Sequence, residues 1–195
     1  MVLTGGPGGG KTAILELARH YFCKHVVFLP ESASIVFGGG FPRNQSPASL
    51  RAAQRAIFFV QRELETIALA EDSPAMIVCD RGTIDGLAYW TGSPAQLFTA
   101  FRTTYTKELA RYSGVIHIET PGSSAQYRRN AIRQESVRAA RSIDDHIAKL
   151  WNKHPNRMRV DAQQDFLDKA RHAIDLLHQQ LPACCLPHAL AKATT

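Results

Sequence analysis

Gly5-Gly6-Pro7-Gly8-Gly9-Gly10-Lys11-Thr12 satisfies every fixed position of the G-x-x-x-x-G-K-[ST] phosphate loop. Glycine lets the backbone take positive φ and bring its N–H groups close to phosphate oxygens without a Cβ in the way. In such a loop Lys11 places an ammonium between β- and γ-phosphates, and the Thr12 hydroxyl is a magnesium ligand. The flanks agree. Val2-Leu3-Thr4 can end a buried strand, and Ala13-Ile14-Leu15-Glu16-Leu17-Ala18 is strongly helix-forming, so the loop opens a helix whose N-terminus favours anions. The competing reading, a glycine-rich turn, does not account for strand and helix together.

The 195 residues are 45% hydrophobic and 21% charged, which fits one folded domain, expected over 1–181 with a loosely ordered tail at 182–195. A net charge of +6 and a pI near 9.4 invite a nucleic-acid reading. No Lys/Arg block with interleaved aromatics supports it, and phosphorylated small molecules explain the charge equally well. Neither a signal peptide nor a transmembrane span is read from the sequence, and peripheral membrane contact is left open. Cys23, Cys79, Cys184 and Cys185 lack metal-ligand spacing, and free thiols in a reducing cytoplasm are expected.

The order of elements follows from short apolar runs. Strands are expected at 1–4, 26–29, 76–80, 114–119 and 158–160, and the first helix over Gly10 to Phe22. Gly38-Gly39-Gly40-Phe41-Pro42-Arg43 reads as a mobile loop. After Ser46-Pro47, the stripe Leu50, Ala53, Ile57, Val60, Leu64, Ile67 predicts a long helix to about Glu71. Its other face (Arg51, Arg55, Gln61, Arg62, Glu65) is expected to be solvated. Residues 82–112 read as short helices broken by Thr91-Gly92-Ser93-Pro94. Ser123-Ser124 starts an arginine-rich helix, and Ser142 with Asp144 and Asp145 restarts one carrying Ile143, Ile147, Leu150 and Trp151. Asp161 with Gln164 resembles a capping box for the last helix, to about Leu181. Alternating strands and helices call for an α/β fold with a parallel sheet covered on both faces.

Asp80 ends its apolar strand with a carboxylate, where it can hold a magnesium-bound water near the phosphate loop or merely cap the next turn. With Arg81-Gly82 beside it, Pro30-Glu31 after strand two and arginines after strand four, the chain resembles the P-loop nucleoside and nucleotide kinases. The nearer likeness is to the nicotinamide-riboside-kinase-like branch. That branch includes the kinase domain of the bacterial NadR regulator and the TRPL-translocation-defect proteins of animals, which carry an ATP-binding AAA domain. The likeness rests on Leu29-Pro30-Glu31-Ser32-Ala33, Gly39-Gly40-Phe41-Pro42, Asp80 to Trp90, Asn130 to Glu135 and the Trp151…His154-Pro155 region, and spans about residues 1–178. It implies a three-layer, five-stranded sheet in order 2-3-1-4-5, with ATP and Mg²⁺ as cofactors.

Candidate roles follow. Gly5, Gly6, Pro7, Gly8, Gly9, Gly10, Lys11 and Thr12 bind nucleotide, and Thr12 and Asp80 bind metal. Glu31, at a strand's C-terminal edge, is read as the base for a substrate hydroxyl, or as an exposed loop glutamate. Arg81 is assigned to catalysis and substrate binding, and Asp85 to sugar hydroxyls or a helix cap. Arg129 and Arg133, four apart in an arginine-rich lid expected over 123–141, can clamp the transferring phosphate. Phe41, Tyr89 and Trp90 either stack on a base or pack in the core. These roles describe a kinase acting on a small nucleoside-like acceptor. The competing class is a nucleotide-dependent regulatory NTPase with no acceptor. Asn152-Lys153-His154-Pro155 lacks the aspartate of a guanine box, which favours ATP over GTP.

Overall fold

Five short strands pair in parallel: β1 (Val2–Thr4), β2 (Val26–Leu29), β3 (Met76–Asp80), β4 (Val115–Ile118) and β5 (Arg157–Val160). The computed structural model describes residues 1–71, 73–121, 136–162, 165–183 and 185–186. The sheet order is β2-β3-β1-β4-β5, as the family resemblance implies. β1 therefore lies between β3 and β4, with Leu3 opposite Asp80 and Thr4 opposite His117. The chain passes first to one side of β1 and then to the other, which opens a crevice beyond the strands' carboxyl ends.

Alternation along β1 builds the two cores. Leu3 faces α1 (Lys11–Ala18) and α7 (Phe166–His178) in a layer with Ile14, Phe22, Ile116, Ala173 and Leu177. Val2 faces the opposite layer, made by α3 (Pro47–Glu71), a 3₁₀ segment (Thr83–Tyr89), α4 (Pro94–Ala100), α5 (Tyr105–Leu109) and α6 (Val137–Leu150). Its interior holds Phe58, Ile84, Phe101, Ile147 and Trp151. Helices thus cover both faces of the sheet. Among the described residues, no helix is long and apolar enough to cross a membrane.

Several expectations need correction. A short helix, α2 (Ser32–Gly38), follows β2, where the sequence pattern predicts only a strand end and a loop. On α3 the inward face is rotated from the apolar stripe. Gln54, Phe58, Gln61, Glu65 and Ala68 are buried, whereas Ile67 is 49% exposed. The supposedly solvated Gln61 and Glu65 are buried because they meet a polar network rather than water. Ser32 Oγ donates to Gln61 Oε1 at 2.6 Å, Gln61 Nε2 to Glu65 Oε1 at 2.9 Å, and Tyr112 Oη to Glu65 Oε1 at 2.8 Å. A buried polar group is tolerated when its partners are supplied in this way.

α6 starts at Val137, capped by Ser136, so Ser142 is inside it and caps nothing. Its buried line is Ala140, Asp144, Ile147 and Trp151. α7 is capped by the Asp165 side chain, which accepts from Asp168 N, and it ends at His178. Asp161 is therefore not its cap, and Gln164 lies outside the described residues. Beyond α7, Cys185 is fully buried against the α1/α7 core, so ordered packing extends past Pro182.

Candidate active site

The phosphate loop is shaped by contacts that only glycine permits. Gly5 has φ +133°, and a Cβ there would lie 2.1 Å from the Ile118 carbonyl oxygen on β4. A Cβ on Gly6 would meet Thr120 Oγ1 at 2.6 Å and Asp144 Cβ at 2.7 Å. The loop is thus pressed against β4 and α6, and Gly10 starts α1 from a left-handed conformation. Lys11 folds back across the loop, its Nζ donating to Gly6 O at 2.7 Å. Burial lowers its pKa to about 7, helped by the nearby Arg81 guanidinium and only partly opposed by Asp80, Glu31 and Asp85.

Asp80 sits at the end of β3, 1% exposed. Its Oδ2 accepts from the Thr12 hydroxyl at 2.7 Å, while Oδ1 is buried with no hydrogen-bond partner. Burial pushes its carboxyl up, against Lys11. An oxygen left buried and unpaired beside a threonine hydroxyl is costly unless a cation or its water completes it. Hard oxygen donors of this kind suit Mg²⁺, so the pair fits the ion that the motif implies.

Arg81 follows directly, with φ +77°, a conformation that side chains rarely adopt. That turn sends its guanidinium back over the loop. Nε donates to Glu31 Oε1 at 2.6 Å, and one terminal nitrogen donates to Gly5 O at 3.0 Å and lies 3.7 Å from Asp85 Oδ2. Burial disfavours its charge, but Tyr89, Glu31, Asp85 and Asp80 together hold its pKa above the ordinary arginine value. Glu31 shows the reciprocal balance. Burial raises its pKa, but Arg81, the Ser34 hydroxyl and Lys11 bring it down to about 2.

Between α2, α3 and the 3₁₀ segment, a cavity of about 600 Å³ runs from the loop. Lys11, Thr12, Glu31 and Arg81 form its polar end; Phe37, Ile57, Phe58, Tyr89 and Phe101 form apolar walls, and Gln54 and Arg43 add polar groups. Of the aromatics singled out in the sequence, Tyr89 lines this cavity. Trp90 packs edge-on to Phe101, and Phe41 is half-buried outside the lining. Asp85 reaches the same end, with both oxygens engaged: Thr4 Oγ1 donates to Oδ2 and Trp151 Nε1 to Oδ1, each at 2.6 Å. Arg129 and Arg133 lie outside the described residues. Of the segment expected as a lid, only residues 136–141 are among those described; they are the N-cap and start of α6, on which Arg138 and Arg141 are exposed.

Two groups escaped the sequence reading. Gln54 is 8% exposed and turned into the cavity, one position off the apolar stripe. Asp144, read as a helix-start residue, instead reaches the loop, accepting from Gly6 N at 2.6 Å and Thr120 N at 3.0 Å, with His117 Nε2 2.9 Å away. Its only sequence signal was its place on the line Ala140, Ile147, Trp151, which an apolar pattern search discards.

A family model described as "AAA domain" matches residues 1–169. Among solved structures, deoxyadenosine kinase from M. mycoides, determined with the products dCMP and dCDP bound, superposes with a TM-score of 0.61 at 12% identity, covering 91% of this chain and 98% of that one. At that identity the likeness is one of fold, that of a P-loop kinase. No curated protein matches the sequence.

Proposed function

We propose that this chain, which belongs to the AAA-domain family, is a P-loop phosphotransferase that moves the γ-phosphate of ATP to a hydroxyl of a small nucleoside-like acceptor. We place it within that family in the nicotinamide-riboside-kinase-like branch, on the motifs it shares with that branch. The carrying observation is the Glu31–Arg81 pair at the junction of the phosphate loop and a 600 Å³ apolar-walled cavity. A nucleotide switch that only hydrolyses has no use for an apolar-walled cavity extending from its phosphate site. The fold shared with a deoxyadenosine kinase supports the same reading.

Each residue then has a task. The loop N–H groups and the α1 N-terminus hold the phosphates of the donor, and Lys11 exchanges its bond to Gly6 O for phosphate oxygen. Thr12 and Asp80 are the residues that would hold Mg²⁺, which when bound neutralises charge on the phosphates. Tyr89, Phe58 and Phe37 sandwich a flat ring, and Gln54 offers both a donor and an acceptor to its edge. Arg81 stabilises charge on the transferring group while holding Glu31 in place.

With a pKa near 2, Glu31 is a weak base toward an unreacted alcohol. It serves by orienting the acceptor hydroxyl and taking its proton late, once bonding to phosphorus has made that oxygen acidic. Asp85, each of whose oxygens already accepts a bond from Thr4 or Trp151, braces Arg81 rather than meeting substrate.

The test is incubation with ATP–Mg²⁺ and a panel of nucleosides, with mass-spectrometric detection of phosphorylated acceptor. The proposal expects one nucleoside class to gain a phosphate. ATP hydrolysis with no acceptor modified would favour a regulatory NTPase.

A further inference from the structure

At the end of the strands opposite the phosphate loop, three ligand side chains converge. Cys23 and His25 lie in the connection between α1 and β2, and Cys185 lies in the turn beyond α7. The two sulfurs and one imidazole nitrogen all lie within 4.8 Å of one another, with Cys23 Sγ 3.8 Å from His25 Nδ1. We infer that Cys23, His25 and Cys185 form a binding site for a zinc-class divalent cation that ties the chain's C-terminal turn to the start of β2.

The geometry is close to what such an ion needs. With Zn–S near 2.3 Å and Zn–N near 2.0–2.1 Å, tetrahedral ligand atoms stand roughly 3.5–3.8 Å apart, so a side-chain rotation of about an ångström closes the site. Two thiolates and an imidazole are borderline-soft donors, which favour zinc and disfavour Mg²⁺ or Ca²⁺. Three protein ligands leave the fourth position to water. On binding, the two thiols release two protons and His25 binds as neutral imidazole, so affinity rises with pH.

The surroundings hold the ligands in place without the metal. Cys185 is fully buried, and its N–H donates to Pro182 O at 2.9 Å. Phe22, next to Cys23, stacks on His178 at the end of α7 with ring centroids 4.4 Å apart. His25 O accepts the N–H groups of Ala75 and Met76, which fixes the start of β2 against β3. The site is thus built across two segments that the core already brings together. β2 separates it from Glu31, which follows that strand's other end, so its role is structural.

The full reduced chain, stripped with chelator, is titrated with Co²⁺ as a spectroscopic probe and with Zn²⁺ against a chromophoric competitor. We expect a single ion per chain, a sulfur-to-cobalt charge-transfer band, intense four-coordinate d–d bands, and a higher melting temperature with Zn²⁺. Cys23→Ser and His25→Gln change half-buried and exposed positions and should fold normally, yet weaken binding by about tenfold or more. Cys185→Ser probes the buried ligand. The proposal is overturned if cobalt gives no thiolate band, if Cys23→Ser and His25→Gln bind as wild type, or if Zn²⁺ stabilises the His25→Gln chain as much as the parent. None of these readouts involves phosphoryl transfer.

Discussion

Asp144 Oδ1 accepts the backbone N–H of Gly6 at 2.6 Å, although the two residues are 138 positions apart. Its other oxygen accepts the N–H of Thr120, just past β4. One carboxylate on α6 therefore fixes both the first turn of the phosphate loop and the strand end it rests on. A side chain at Gly6 has no room there, because a Cβ would meet Thr120 Oγ1 at 2.6 Å, Asp144 Cβ at 2.7 Å and the Ala140 carbonyl oxygen at 2.8 Å.

Asp144→Asn replaces a charged acceptor of two N–H groups with an amide, one end of which is itself a donor. We expect a loss of about 1–3 kcal/mol in stability, read as a lower melting temperature, and weaker nucleotide binding by calorimetry.

The same residue sets an acid limb. Burial raises the Asp144 pKa, but the bonds from His117, Thr120 and Gly6 outweigh it, and the net shift is downward from 3.8. A depressed carboxylate contributes stability that is present above its unfolded pKa and is lost as pH falls through the folded value. Melting temperature should therefore drop more steeply below about pH 4 in the parent than in Asp144→Asn. Parallel acid limbs would remove Asp144 from this role.

Lys11 titrates in the opposite direction. Burial first, and Arg81 second, bring it to about 7, so the free protein carries this amine largely neutral at pH 8. Phosphate binding restores the charge, so nucleotide binding at pH 8 should take up protons. Calorimetry in buffers of different ionisation enthalpy reads this directly. Lys11→Ala should abolish the uptake and weaken binding by about tenfold or more, roughly 1.4 kcal/mol. The unfolded amine titrates near 10.5, so the cost of burying its charge is complete below about pH 7 and relieved as pH rises toward 10.5.

Asp80 and Glu31 should separate kinetically. Asp80→Asn should raise the magnesium concentration required for activity, because Asp80 Oδ1 is the buried unpaired oxygen that the proposed function assigns to the cation. Glu31→Gln should lower turnover with ATP affinity intact. Wild-type phosphorylation by Glu31→Gln would exclude Glu31 from the reaction.

Trp151→Phe keeps most of a fully buried ring but leaves Asp85 Oδ1 without its indole donor. A cost of about 1–3 kcal/mol follows from the unpaired buried oxygen. Because Asp85 braces Arg81, turnover should also fall; denaturant unfolding and kinetics on the same preparation check both.

What the amino-acid sequence determined by itself is local. A phosphate loop needs glycines, a lysine and a threonine at fixed spacing, so Gly5 to Thr12 could be read with no tertiary information, and so could the short apolar runs that became the five strands. Asp80 was legible because a carboxylate closing an apolar run is anomalous. Strand order was not in the periodicity; it came with the family resemblance, and the pairing of Leu3 with Asp80 agrees with it. Tertiary structure alone decided which way α3 faces, since Gln61 and Glu65 are buried by partners on Ser32 and Tyr112 that no helical period encodes. It also decided the fates of Asp85 and Asp144. A carboxylate's role depends on which donors reach it, and those donors, Trp151, Thr4, Gly6 and Thr120, are brought there by the sheet order and by the packing of α6 beside the phosphate loop and the end of β4, not by neighbours in the chain.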